Sequence, residues 1–226
     1  MSEKLSVSEA IDQRFSARAF LDEPVSEAVV STLLDKARGA PSGGNLQPWR
    51  VHVLMGDKLA AFKQKMQEIT KTQPISSMPE YNVYPEPVPE PYNTRRRQVG
   101  AQMYDLMGVD RKDKQARTEA MMKNFTFFEA PVGMFISLDR CFDRNQWGHV
   151  GMFAQSLCLL AVEAGLGTCM QEAWVMHHEH VAKAIDLPES QILWMGLALG
   201  YPDYEAPVNT LKSERAPIDD FVKFIK

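Results

Sequence analysis

Hydrophobic residues recur along this chain at two periods, 3.6 and 2, and the changes from one to the other predict its elements in order. From Ser6 to Arg14, Val7, Ala10 and Ile11 recur at helical intervals behind the capping-box spacing of Ser6 and Glu9. A first helix is expected there, delivering Arg14, Ser16 and Arg18 at its end. Pro24 and Ser26 open a second, with Val29, Val30, Leu33, Leu34 and Ala37 on one face and Glu27, Asp35, Lys36 and Arg38 elsewhere; Gly39 ends it. Val51, Val53 and Met55 then alternate with His52 and Leu54 in a strand closed by Gly56-Asp57. Lys58 to Lys71 returns to the helical period through Leu59, Phe62, Met66 and Ile69.

The second half repeats the alternation with more apolar elements. A helix starting at Arg95-Arg96-Arg97 runs through Val99, Met103, Leu106 and Met107, and another from Arg111 to Phe128 ends in Phe125, Phe127 and Phe128. Val132 to Leu138 is a nearly continuous apolar run, the pattern of a strand buried on both faces. Trp147 to Ala164 is a helix apolar nearly all round, which must be buried on most sides, and Gly165 stops it. Thr168 to Trp174 reads as extended or irregular, Leu193 to Leu199 as a last core strand. A tail from Glu205 carries Ile218, Phe221, Val222, Phe224 and Ile225, so apolar that it needs a surface to pack against.

Two stretches interrupt the periodicity. Gly39 to Trp49 sets glycines between Pro41 and Pro48, which excludes an α-helix, and carries Ser42, Asn45 and Gln47 before Trp49. Backbone can approach closely at the glycines while the amides offer donors and acceptors, which suits a flat heterocycle with a polar edge; a plain helix-to-strand connection has the same local chemistry. The stretch from Pro74 to Pro91 holds six of the 14 prolines (Pro74, Pro79, Pro85, Pro87, Pro89, Pro91) with Tyr81 and Tyr84. It is read either as a wall or lid of a site or as a surface loop.

Charge and composition narrow the function. A net charge of −4 and a pI near 5.8 give no long-range attraction for nucleic acid or anionic lipid. With 226 residues and 45% hydrophobic content, one domain spanning 1–226 is expected. The N-terminus lacks the apolar core of a signal peptide, and runs such as Leu157 to Val162 are far short of a membrane span, so a cytoplasmic protein is expected. Cys141, Cys158 and Cys169 have no CxxC spacing. The His177-His178-Glu179-His180 run is not HExxH and reads as a solvated helix start; Ser42 is not in a GxSxG elbow; Gly165-x-Gly167 lacks a third glycine and follows a helix. Without triad, metal motif or P-loop, any hard chemistry must come from a bound cofactor. Arg14 and Arg18 flanking Ser16 would hold a phosphate, or form a solvated pair. Arg95 to Arg97 in a first helical turn oppose the helix dipole, which points to an anionic partner or to pairing with Glu86 or Glu90.

Arg14-Phe15-Ser16-Ala17-Arg18-Ala19-Phe20 followed by Ala40-Pro41-Ser42-Gly43-Gly44-Asn45-Leu46-Gln47-Pro48-Trp49 resembles the paired signature of the FMN-dependent nitroreductase family. Gly165 to Glu172, Leu197 to Pro202 and Arg215-Ala216-Pro217-Ile218 fit the same family in the same order, so the likeness spans nearly the whole chain. The Pro-rich insertion at about 74–94 is most similar to the nitrobenzoate-reducing branch.

That resemblance implies an α+β, three-layer fold with a mostly antiparallel central sheet flanked by helices, in an intertwined homodimer whose two flavin sites lie between protomers. The tail at about 205–226 would embrace the partner. It implies FMN as cofactor, NADPH or NADH as electron donor, and ping-pong transfer to a nitroaromatic, including nitrobenzoate-like compounds. Reduction of quinones, enones or flavins, and a non-enzymatic flavin-binding or sensing role, are the alternatives. By the same resemblance Arg14, Arg18 and Arg215 take the phosphate, Ser16 and Ser42 phosphate or ribityl, and Asn45 and Gln47 the ring edge beside Pro41, with Asn45 reaching across the interface. A backbone N–H among Gln171, Glu172 and Ala173 faces the flavin N5, although Met170 stands where proline is common. Tyr84, Tyr92 and Arg96 are the candidate substrate wall, and no residue is nominated as proton donor.

Overall fold

The computed structural model describes residues 5–73, 78–110 and 112–226. Helix α1 spans Val7–Gln13, and the capping box is formed in full, with Ser6 Oγ accepting from the Glu9 N–H while the Glu9 carboxylate accepts from the Ser6 N–H. Helix α2, Glu27–Ala37, is capped by Ser26. Strand β1, Arg50–Met55, passes directly into α3, Gly56–Thr72: Gly56, with φ of +52°, turns the chain and begins the helix where a closing loop is expected from sequence. Helix α4 covers Tyr92–Leu106, so the irregular Pro-rich segment ends at Pro91, and Pro74 to Ser77 at its start lie outside the described residues.

The helix expected from Arg111 to Phe128 is two elements. Arg111 lies outside the described residues; α5 is Lys114–Met122, and a 3-10 segment Lys123–Glu129 follows with Phe127, Phe128 and Glu129 all at positive φ. Three consecutive residues with left-handed backbone break the helical period and turn the Phe127 ring onto Gly133 of the next strand. Strand β2 is Val132–Asp139, α6 is Arg144–Glu163, and Gly165 at φ +73° stops it as expected. Strand β3, Gly167–Gln171, gives way to a 3-10 turn over Glu172–His177, and α7, His178–Ala184, precedes β4, Gln191–Gly200.

The four strands form one antiparallel sheet in the order β1-β2-β4-β3. Its two faces bury different chemistry. Val132, Met134, Ile136 and Leu138 of β2 join Leu197 and Leu199 of β4 against Leu33 of α2 and Phe153, Ala154, Leu157 and Ala161 of α6. On the other face Phe135 meets Phe62 and Met66 of α3 with Phe125, Phe127 and Trp174. Burial on both sides explains why β2 reads as a continuous apolar run. A register shift between Ile136 and Ser137 leaves Trp194 without a Cα partner, which puts Leu193 in the aromatic core and Leu197 in the aliphatic one.

Glycine at two strand positions admits the aromatic rings. A Cβ on Gly196 would lie 2.2 Å from Trp174 Cδ1, and one on Gly133 would lie 2.5 Å from Phe127 Cε2. The left-handed turn at Phe127 delivers that ring into its notch. His177 belongs to the same region: fully buried and edge-on to Phe125 at 4.5 Å, it is a core residue and not the solvated helix start that its neighbours suggest.

Candidate functional site

Where α1 ends, Arg14 serves as C-cap and the chain runs extended beside β3: Ser16 bridges Thr168, and the Ala17 N–H donates to Thr168 O at 3.0 Å. Asn209, buried and 191 residues away from Arg18, accepts the Arg18 N–H at 2.8 Å and donates to Ala19 O at 2.8 Å and Asp203 O at 2.7 Å. Nothing near Asn209 in sequence announces this role. Arg14 and Arg18 are half-buried, form no ion pair with a carboxylate among the described residues, and direct their field at β3. Burial pushes the Cys169 thiol up to about 11, against the opposing pull of Arg18 and Arg14. Arg14, Ser16 and Arg18 therefore meet in one cationic patch. Arg215 is exposed in the tail, its Nη1 turned onto Ser213 O and Oγ, both at 2.7 Å, and onto Glu214 O at 3.1 Å.

The loop after α2 holds a 3-10 turn at Gly43–Asn45 within the stretch read as free of α-helix. Ser42 organises it, accepting the Asn45 N–H on its carbonyl at 2.9 Å and the Gln47 N–H on its hydroxyl at 3.0 Å. Asn45 and Gln47 both adopt the left-handed region, with φ of +56° and +47°. Each such residue costs roughly 1–3 kcal/mol, and strain of this kind collects at ligand sites. The Gln47 amide donates to the carbonyl and Oδ1 of Asn45, both at 3.1 Å, so the two amides meet at an exposed tip beside exposed Pro41. Helix α6 supports this loop: Trp49 stacks on Phe153 at 5.0 Å with 11° between planes, and His149, one turn earlier, underlies Gly43.

After β3 the roles of the three candidate residues separate. Gln171 is buried, donating to Asn124 O at 2.8 Å and accepting from Trp174 Nε1 at 3.3 Å, so its side chain has a packing role and not a cofactor-facing one. Glu172 and Ala173 open the 3-10 turn. The Tyr84 hydroxyl donates to the Glu172 carboxylate; burial raises the Glu172 pKa, the tyrosine opposing, and burial followed by the Glu172 charge raises that of Tyr84. Arg96 lies over the Tyr84 ring at 5.3 Å. Tyr84, Arg96 and Glu172 thus form one cluster, while Tyr92, 61% exposed in the first turn of α4, stands outside it. Arg95 pairs with Asp220, a tail residue, at 3.0 Å, while Glu90 caps α4 through the Thr94 N–H at 3.1 Å and feels the charge of Arg97, so the expected partner serves that arginine and not Arg95.

The Pro-rich segment is tied down on the same side. The Tyr81 hydroxyl donates to the carbonyl of Trp194, the residue that the register shift leaves without a partner, and its ring is edge-on to Trp147 at 4.9 Å. Glu80 pairs with Arg140 and lies 3.7 Å from His178 Nδ1. Among the described residues no group of histidine, cysteine and carboxylate side chains is placed to hold a metal ion.

The family model "Nitroreductase family" matches residues 11–201. The chain belongs to the nitroreductase family. It is 33% identical to a nitrobenzene nitroreductase of Ectopseudomonas oleovorans, covering 97% of this chain and 96% of the relative. A 4-nitrobenzoate reductase of Pseudomonas putida is 34% identical over 95% and 93% of the two chains. The crystal structure of NfnB from Sphigopyxis sp. strain HMH, described as an FMN- and NADPH-dependent nitroreductase, superposes with a TM-score of 0.95 at 38% identity, covering 98% of this nitroreductase and all of that chain. The layered antiparallel architecture expected from sequence is that of the family.

Proposed function

We propose that this nitroreductase is an FMN-dependent oxidoreductase that carries electrons from NAD(P)H to nitroaromatic compounds. The observations that carry the reading are a cationic patch at Arg14, Ser16 and Arg18 beside β3 and, separately, a strained loop presenting the Asn45 and Gln47 amides. The two fit the opposite ends of FMN: guanidinium forks match a phosphate, and paired amides match a ring edge carrying donors and acceptors. FMN, when bound, supplies the acceptance of a hydride from the nicotinamide and the release of electrons to the nitro group.

The protein's own residues bind and orient. Arg14 and Arg18 hold the phosphate, with Ser16 and Ser42 on phosphate or ribityl oxygens; Arg215 joins them on giving up its contacts with Ser213 and Glu214. The N–H groups opening the turn at Glu172 and Ala173 address the ring. Tyr84 and Arg96 wall the substrate space. Since Arg95 is neutralised by Asp220 and Arg96 faces a tyrosine bound to Glu172, the wall has little positive excess, which favours neutral nitroaromatics over nitrobenzoates.

A homodimer completes the assembly. Ile218, Phe221, Phe224 and Ile225 are 57% to 90% exposed, and among the described residues β1 pairs on one side only, so the tail's apolar side chains and the sheet edge both suit a second copy of the chain. The cytoplasm suits three unpaired thiols, and no helix among the described residues is long and apolar enough to cross a membrane.

Absorbance of the purified protein tests the reading. Anaerobic NADPH should bleach a flavin spectrum, and nitrobenzene should restore it at least as fast as 4-nitrobenzoate. Recovery with quinones alone would move the activity to quinone reduction; a colourless protein that cannot be reconstituted with FMN would end the proposal.

A further inference from the structure

His149 is the loop contact of α6 that the roles above leave unused. A Cβ on Gly43 would lie 3.1 Å from His149 Cε1 and 3.7 Å from Nε2, so the Cε1–Nε2 edge of the ring faces the loop and Nδ1 lies beyond 4 Å. Nδ1, bonded to that same Cε1, is buried and has no hydrogen-bond partner among the described residues. His52 Nδ1 on β1 is similarly unpartnered, but His149 lies against a strained loop whose amides are bonded to each other. A buried polar atom without a partner is unfavourable, and so are left-handed Asn45 and Gln47; the two occur on either side of one contact between α6 and the loop.

We propose that His149 is a positioning residue for the FMN loop: when Asn45 and Gln47 exchange their mutual hydrogen bonds for the cofactor, the Gly43-Gly44 backbone shifts and gives His149 Nδ1 its missing partner. Gly44, at φ +60° with only Leu46 Cγ within 4 Å of where its Cβ would be, gives the backbone the freedom for that adjustment. Phe153, four residues on, holds the far end of the loop through Trp49, so the adjustment is confined to Gly43–Gln47. The inference rests on FMN being the ligand of this site.

Three variants of the full-length protein test it, with FMN affinity of the apoprotein read by flavin fluorescence and apoprotein Tm measured in parallel. His149→Leu removes the unpartnered nitrogen and retains bulk, so the apoprotein should melt no lower than wild type while FMN binds on the order of tenfold more weakly. His149→Asn keeps a polar atom near the Nδ1 position and should recover most of that affinity; His149→Phe should not. In histidine-15N-labelled wild type, one Nδ1 signal should move to a hydrogen-bonded position on adding FMN and be missing from the spectrum of His149→Asn. Wild-type affinity in His149→Leu, or a loss matched by an equal fall in apoprotein Tm, would overturn the proposal by making His149 irrelevant or merely a packing post. Failure of the wild-type apoprotein to take up FMN would instead remove the cofactor reading on which it stands.

Discussion

The two faces of the sheet are filled in different ways. Against α2 and α6 the core is built mainly of Val, Leu, Ile and Met, side chains whose volume matters more than their outline. Against α3 it is an aromatic cluster, in which Trp174 touches Phe62, Phe125, Phe127 and Phe135 at centroid distances of 4.7 to 5.5 Å and fits over Gly196. The first face tolerates change by rearranging; the second is locked ring on ring, with backbone of β4 as its floor. The aromatic face also reaches Gln171, whose side chain accepts from Trp174 Nε1 at the end of β3.

From that contrast, the largest effect comes from filling a notch. Gly196→Ala should cost about 3 kcal/mol or more in urea denaturation, because four rings block the escape of Trp174; a cost below about 1 kcal/mol would show that the cluster yields. On the aliphatic face Ile136→Val should cost about 1 kcal/mol, the ordinary result for one lost methylene, and a cost as large as that at Gly196 would erase the distinction between the faces.

The smallest effect is a pH dependence at the edge of the rigid face. Burial raises the carboxyl pKa of Glu172 in the folded state, so the folded chain binds more protons than the unfolded one between the ordinary carboxylate value and the raised value. Stability contributed by this group therefore falls as pH rises through that window and stays lower above it. Glu172→Gln keeps an acceptor for Tyr84 and cannot ionise, so paired melts of the two proteins should diverge on raising pH, the variant keeping the higher Tm. Parallel curves would place Glu172 in ordinary solvent.

Sequence exposes the elements whose causes are local. Ser6 with Glu9, Ser26 before an apolar face, and the alternation of Val51 to Met55 each carry their cause within a few residues. The helix read through Lys123 to Phe128 fails because its cause is distant: Phe127 turns left-handed to fill the space over Gly133. His177 looks solvated beside His178 and Glu179 because polarity says nothing of the Phe125 ring that covers it. Arg14, Ser16 and Arg18 were legible as a group, being close in sequence. The Asn209 clasp, the Tyr84–Glu172 bond and the Arg95–Asp220 pair join residues separated by 191, 88 and 125 positions, respectively, and no local pattern connects them.

The three thiols are unequal. Cys158 and Cys169 are buried with their pKa values raised, so thiolate is scarce and reagents are shut out, whereas Cys141 is exposed. Cys141 also follows Arg140, whose guanidinium grips Glu80 of the Pro-rich segment. The unmodified protein therefore carries its own attachment point for a single fluorescent label, placed beside the clasp that fastens the Pro-rich segment.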